Sequence, residues 1–329
     1  MSRIPAMPVL LALSVALIVC ACFLGSTDMS AHRVVSALTG MGTTTDQIII
    51  WEIRFPRAAA AFVTGAALGI SGAALQGLLR NPLAEPGVLG VTSSAALFAS
   101  ASVYFGVAAL SELAIPLAAV SGAMGATFLL SLVALRTQSV VTLILVGVGI
   151  SSFMSAVMAL VLNMAPTPFS LSDMINWMLG SVANRSLNDI MLTAPFIVVG
   201  AGVLLIARRG LSALTLGEEA AQGLGLNLKH QRLMVVIGAG LATGGAVALA
   251  GAIGFVGIVA PHLVRSIWGY DPARILAPSA ILSGAILIVA DIFVRIAPTT
   301  TELKLGVAAA LVGAPVFIWI AAQRSVRHG

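Results

Sequence analysis

The sequence predicts an all-α, polytopic membrane protein of about ten transmembrane helices, and three observations carry that expectation. Hydrophobic residues fill 59% of its 329 positions and charged residues only 9%, against roughly a quarter charged in soluble domains. Uncharged runs of about 20 residues, the length that crosses a hydrocarbon core, recur along the chain between single charges. Glycine is abundant (33 residues) and aromatics are scarce at 5%. Helices in lipid pack through small residues in this way, because lipid tails compete equally for large apolar ones.

The first run, residues 4–27, exceeds the roughly 7–15 apolar residues of a signal core and lacks a small-x-small cleavage site, so it reads as a retained span. Cys20 and Cys22 lie within it, and their C-x-C spacing suits a local disulfide poorly. Residues 58–79, 86–111 and 113–135 give the next three spans. The run 137–172 is too long for one helix and holds Pro166 and Pro168. It divides into a span ending near Met164 and a short element over 170–181, read as a re-entrant helix lining a cavity. Residues 190–207, 235–251, a short 253–268 carrying Pro261 and His262, 275–295 and 305–323 complete ten.

Charge placement supports an even count. The net charge is +5, but the bases are spread singly rather than clustered as a nucleic-acid surface needs. Ten spans put Arg3, Arg80, Arg136, Arg208, Arg209, Lys229, Arg232, Arg265, Arg274, Arg324 and Arg327 on one side. Arg33, Arg54, Arg57, Arg185, Arg295 and Lys304 fall on the other. The positive-inside rule makes the richer side, with both termini, cytoplasmic. The whole chain, 1–329, is then one transmembrane domain with a polar interruption at about 208–232. A nine-residue match, 65–73 against 238–246, hints at an inverted repeat of the kind transporters use. Each copy carries a GxxxG packing pattern, Gly65/Gly69 and Gly240/Gly244.

What is missing matters as much. No glycine-rich phosphate loop is present, and the only lysines, Lys229 and Lys304, do not follow the required glycines. Ion-driven carriers place a carboxylate deep in the bundle. Here Asp291 is the one candidate, and Arg295 one turn later pairs with it. His32, His230, His262 and His328 are too scattered for a metal site. A pathway without its own motor is expected, with an ion-coupled carrier as the alternative from another class. Within 214–227, short helical pieces broken by Gly217, Gly223 and Gly225 offer a place for a motor to attach. Glu218 and Glu219 sit at a helix start there.

Arg54-Phe55-Pro56-Arg57, Gly72-Ala73-Ala74-Leu75-Gln76, Arg80-Asn81-Pro82-Leu83-Ala84-Glu85-Pro86 and Leu89-Gly90 together resemble the permease subunits of bacterial ABC importers for iron chelates, heme and cobalamin. Trp177-x-x-Gly180-Ser181, Leu216-Gly217-Glu218, 251–257, Pro261-His262-x-x-Arg265, Ala290-Asp291 and 313–317 continue the pattern. Thr92-Ser93-Ser94-Ala95 departs from it, since the family often has a glycine before the alanine.

The resemblance implies a homodimer in the bacterial inner membrane, set in membrane lipid. Two separate ATPase subunits would hold ATP and magnesium, and a periplasmic heme- or iron-chelate-binding protein would dock opposite them. The chain itself would bind no cofactor and catalyse no reaction. Leu216, Gly217, Glu218, Glu219, Ala220 and Gly225 would couple to the ATPase. Arg54, Arg57 and Arg295 would receive carboxylates of the binding protein, a task that suits the planar guanidinium fork. Met154, Met158, Trp177 and Met178 are candidate liners of the path, methionine being adaptable and apolar. Arg185 could attract the propionates of heme, the ligand favoured by overall likeness. Ferric siderophores and cobalamin are the alternatives.

Overall fold

The computed structural model describes residues 6–25, 27–137, 139–297 and 302–325, with backbone alone at 317 and 319–325. Arg3, Arg327 and His328 lie outside the described residues, and Arg324 is described by its backbone only. Among the described residues the regular elements are all helical. They are α1 (Ala6–Phe23), α2 (Ala31–Leu38), α3 (Thr44–Ile48), α4 (Phe55–Leu79), α5 (Val91–Tyr104), α6 (Ala114–Arg136) and α7 (Val140–Asn163). There follow α8 (Pro168–Met178), α9 (Leu187–Ala213), α10 (Glu218–Gly223), α11 (Leu228–Ala250), α12 (Val256–Trp268), α13 (Pro272–Ile296) and α14 (Leu305–Ser325).

Among the described residues, seven helical stretches are long and apolar enough to cross a membrane: α1, α3 continued through α4, α6, α7, α9, α11 and α13. The shorter apolar helices α5, α12 and the start of α14 account for the other three spans read from the sequence. The short α8 fits the expected re-entrant element. Several boundaries differ, and α11 begins at Leu228 rather than 235 while α5 covers only Val91–Tyr104. Helix α9 continues past Arg208 and Arg209 to Ala213, so the interruption placed at 208–232 narrows to 214–227. Arginine is a good helix former and stabilises a helix C-terminus, so these charges extend α9 beyond the apolar run. Between α1 and α4, the sequence reading foresaw neither α2, α3 nor the π-helical turn Ile49–Arg54 that joins α3 to α4. Their apolar face is too short to register as a span, yet Val34, Ala37 and Ile50 pack with Cys22 in a small buried cluster.

Helices α4 and α11 form the centre, and both are buried along most of their length. Their glycines explain why. Gly65 and Gly69 face Ser283 and Ser279 of α13, while Gly240 and Gly244 face Thr127 and Ala123 of α6. Each GxxxG stripe therefore seats one antiparallel neighbour. Helix α4 also packs on α12, as α11 does on α5. Both α5 and α12 are short and follow a break, at 80–90 and 251–255. The nine-residue match in the sequence thus corresponds to two central helices with equivalent surroundings.

The helix ends sort the charges into two groups. Arg57 at the start of α4 meets Asp291 near the end of α13, and Arg295 reaches the carbonyls that close α1. At the opposite end, Gly77 of α4 lies against Pro272 and Leu211, and the Ser212 hydroxyl donates to Asp271. A Cβ added at Gly72 would stand 2.0 Å from the Gly257 carbonyl oxygen. Gly72→Val should accordingly lower thermal stability in detergent by the upper part of the about 1–3 kcal/mol typical of overpacking. Gly125→Ala, which meets nothing within 4 Å, should leave the melting temperature unchanged.

Candidate functional site

Between α9 and α11 the chain forms a 3-10 turn (Leu214–Leu216) and then α10. Gly217 separates them at φ +101°, a conformation other residues adopt only with strain. Leu214 and Ala221 face inward, whereas Leu216 and Leu224 are 66% and 69% exposed. Glu219, Ala220 and Gly225 are exposed beside them. The result is a knob with an apolar and acidic outer face. The two acids do not share a role. Glu219 faces outward, while both Glu218 oxygens accept from Arg232 Nη2 at 3.0 Å. The sequence reading treated these acids alike, because a helix start favours carboxylates without revealing which one has a partner.

At the other end Arg54, Arg57 and Arg295 line one cavity of about 300 Å³, together with Thr27, Ile53 and Glu302. Their forks are already engaged. Arg54 is buried and donates to the Cys22 carbonyl at 2.9 Å and to that of Thr27. Arg57 donates to Asp291 through Nε and Nη2 at 2.9 and 2.8 Å, and Nη2 also pairs with Glu302. Arg295 pairs with the second Asp291 oxygen and with the Ala21 carbonyl. Asp291, wholly buried, thus holds two guanidiniums. The i,i+4 spacing pointed to Arg295 as its partner, but a pair 234 residues apart left no local signal for Arg57.

A third feature lies between the two helix breaks. A cavity of about 480 Å³ is walled by Glu85, Thr92, Ser93, Ser151, Ser155, Met158 and Met178, with Ala252 at its edge. It brings together Met158 of α7 and Met178 of α8. Met154, Trp177 and Arg185 are not in its wall, and Trp177 packs instead against the main core. The breaks that frame it are tied to each other. The Phe255 N–H donates to Glu85 at 3.2 Å. The Gln76 amide donates to the carbonyls of Ala84 and Gly257 at 3.2 and 3.1 Å, and its oxygen accepts from Arg265.

Two charged ends, an open cavity and a pair of equivalent broken helices describe a transport protein, and comparison with known proteins identifies its kind. Residues 11–323 match the family model of the FecCD transport family. The chain belongs to that family. It is 40% identical over 277 residues to the uncharacterized ABC transporter permease protein YvrB of Bacillus subtilis, covering 83% of this chain and 78% of the relative. It is also 40% identical over 275 residues to the vitamin B12 import system permease protein BtuC of Klebsiella pneumoniae, covering 83% and 82%. A solved structure described as an inward-facing conformation of a metal-chelate type ABC transporter superposes with a TM-score of 0.86 at 27% identity. That superposition covers 95% of this chain and 97% of the other.

This FecCD protein is therefore an ABC importer permease, a transport subunit rather than an enzyme. Several residues of its candidate sites were not singled out from the sequence. Glu302 joins the arginine cluster from a loop, and Arg232 holds Glu218 from α11. Glu85 and Gln76 stood in the family motif with no role assigned. Apart from Ala84, the partners of Gln76 and Glu85 lie more than 160 residues away. Breaking a buried pair costs about 3–5 kcal/mol and a surface pair about 0–1. Asp291→Asn should therefore lower the melting temperature in detergent far more than Glu302→Gln, whose carboxylate is 42% exposed.

Proposed function

We propose that the chain is the membrane subunit of an importer for a large metal chelate, working as a homodimer between two ATPase subunits and a periplasmic substrate-binding protein. The pairing of an exposed apolar and acidic knob at one end with an arginine-lined cavity at the other carries this reading. In it, the knob faces the cytoplasm with both termini, and the arginines face the binding protein. The positive-inside rule supports that orientation. ATP and its magnesium belong to the ATPase. The cavity between the helix breaks would open onto the path when two copies associate.

Docking at the arginine end requires a partner carboxylate to share or displace one already present. Arg54 would shape this seat rather than bind, since backbone carbonyls occupy its fork. Arg57 is the guanidinium best placed to exchange, because its Glu302 partner is partly exposed. Arg57→Glu should weaken capture of the loaded binding protein, and Glu302→Gln should tighten it, both read as dissociation constants. A charge-assisted bond is worth about 1.5–3 kcal/mol, so shifts on the order of tenfold or more are expected. Affinities insensitive to both changes would leave these arginines a structural role only.

Heme is the ligand that overall likeness suggests. A corrinoid is the second reading, favoured by the vitamin B12 permeases among the relatives and by the cavity wall. That wall offers hydroxyls, methionines and a carboxyl but neither lysine nor arginine, which suits a neutral, amide-rich ligand better than two propionates. Reconstituted vesicles holding the permease, its ATPase and its binding protein should accumulate the true ligand only with ATP. Uptake of hemin without cobalamin, or the reverse, decides between the two. Uptake driven by a proton gradient with no ATPase present would overturn the proposal itself.

A further inference from the structure

Arg232 is only 3% exposed, yet it lies in the second turn of α11, beside the knob. Its guanidinium faces two ways. Nη2 grips both oxygens of Glu218 at the start of α10. Nη1 points to the carbonyl of Thr137 at 3.4 Å, a long contact. Thr137 is the corner between α6 and α7. Its N–H closes α6 on Val133, and its hydroxyl accepts from the N–H of Ser139, which caps α7 through Thr142. One buried side chain therefore joins the knob to the start of α7.

The elements around this link differ in freedom. The next residue back, Gln231, donates to the Ala207 carbonyl at 2.9 Å and fixes the start of α11 to α9. Helix α7, by contrast, is the span its own chain covers least: Val141, Leu145, Phe153 and Leu160 are all more than half exposed. It also carries Ser151, Ser155 and Met158 into the cavity wall. A displacement of α10 thus meets a helix tied to α9 on one side and, on the other, the span with the most uncovered surface.

We infer that Arg232 is a positioning residue that passes movement of the knob to the α6–α7 corner, and through it to the cavity wall formed by α7. Glu218 belongs to this strut, so Glu219 and the exposed leucines make the motor contact. The inference rests on the reading of 214–227 as the ATPase seat. Arginine is needed because its rigid fork presents donors in two directions, whereas a lysine ammonium can hold Glu218 but not reach Thr137 as well.

The test uses the complete importer in vesicles, comparing Arg232→Lys with wild type. The variant should bind the ATPase with unchanged affinity and still hydrolyse ATP. Solute moved per ATP should fall on the order of tenfold, about what one charge-assisted hydrogen bond is worth. A spin label at Val141, with Cys20 and Cys22 replaced by serine, should shift on ATP binding in wild type and stay still in the variant. A label at Leu224 should shift in both. Wild-type coupling in Arg232→Lys, or loss of ATPase binding, overturns the inference. If Arg232→Lys fails to fold, Glu218→Gln takes its place, with partial uncoupling expected and full coupling overturning it. Glu219→Arg separates the two levels. Release of the ATPase supports the seat, so normal coupling in Arg232→Lys then defeats the strut alone. Retention of the ATPase removes both.

Discussion

Backbone contact between helices, that of α4 with α12 and α13 above all, is the constraint on which the rest of the molecule depends. In lipid there is no hydrophobic drive to bring helices together, so close van der Waals packing has to do it. Glycine lets α4 approach until Gly72 touches the Gly257 carbonyl and Gly65 touches that of Ser283. Only at that separation can Gln76 reach the Ala84 carbonyl in the first break and the Gly257 carbonyl at the start of α12, and Glu85 meet the Phe255 N–H. The breaks at 80–90 and 251–255 leave backbone groups that lipid cannot satisfy, and cavity-side protein partners satisfy them instead. The open cavity walled by Glu85, Met158 and Met178 lies beside these breaks.

Much of this was legible in the sequence and some was not. Hydropathy and single charges located the seven long spans and the three shorter apolar helices, because each needs a run of local apolar residues. The glycine patterns at 65–69 and 240–244 located the central helices, since close approach requires small residues wherever it occurs. The fold of 214–227 into two short pieces followed from Gly217 and Gly225. Boundaries set by charge were less secure: Arg208 and Arg209 looked like the end of a span but lie within α9. Pairings across the chain left no mark. Arg57 with Asp291, Glu302 with Arg57 and Glu218 with Arg232 each depend on tertiary proximity, so composition could supply the residues but not their partners. Of the proposed path residues, Met158 and Met178 meet in one wall while Met154, Trp177 and Arg185 do not.

The two ends of the bundle handle charge in opposite ways. At the arginine end three guanidiniums are packed around a buried carboxylate and backbone carbonyls, with Glu302 as the partly solvated member. Nearly every donor has an acceptor, so that surface can exchange partners but has little unused charge to offer. At the knob end one acid is held and its neighbour is exposed, and exposed leucines flank them. A contact that forms and breaks repeatedly suits the second arrangement, because its apolar area does not depend on replacing an existing ion pair.

The separation of Arg57 from Asp291 has a consequence for how the protein is made. The two are 234 residues apart, and chains grow at about 5–20 residues per second, so roughly ten to fifty seconds pass between their synthesis. Throughout that interval the first guanidinium sits at the edge of the bilayer without its permanent acceptor. It must be hydrated by interfacial water or held by lipid phosphate until the ninth span arrives. The Arg57–Asp291 pair therefore closes only once α13 is in place, late in the assembly of the bundle.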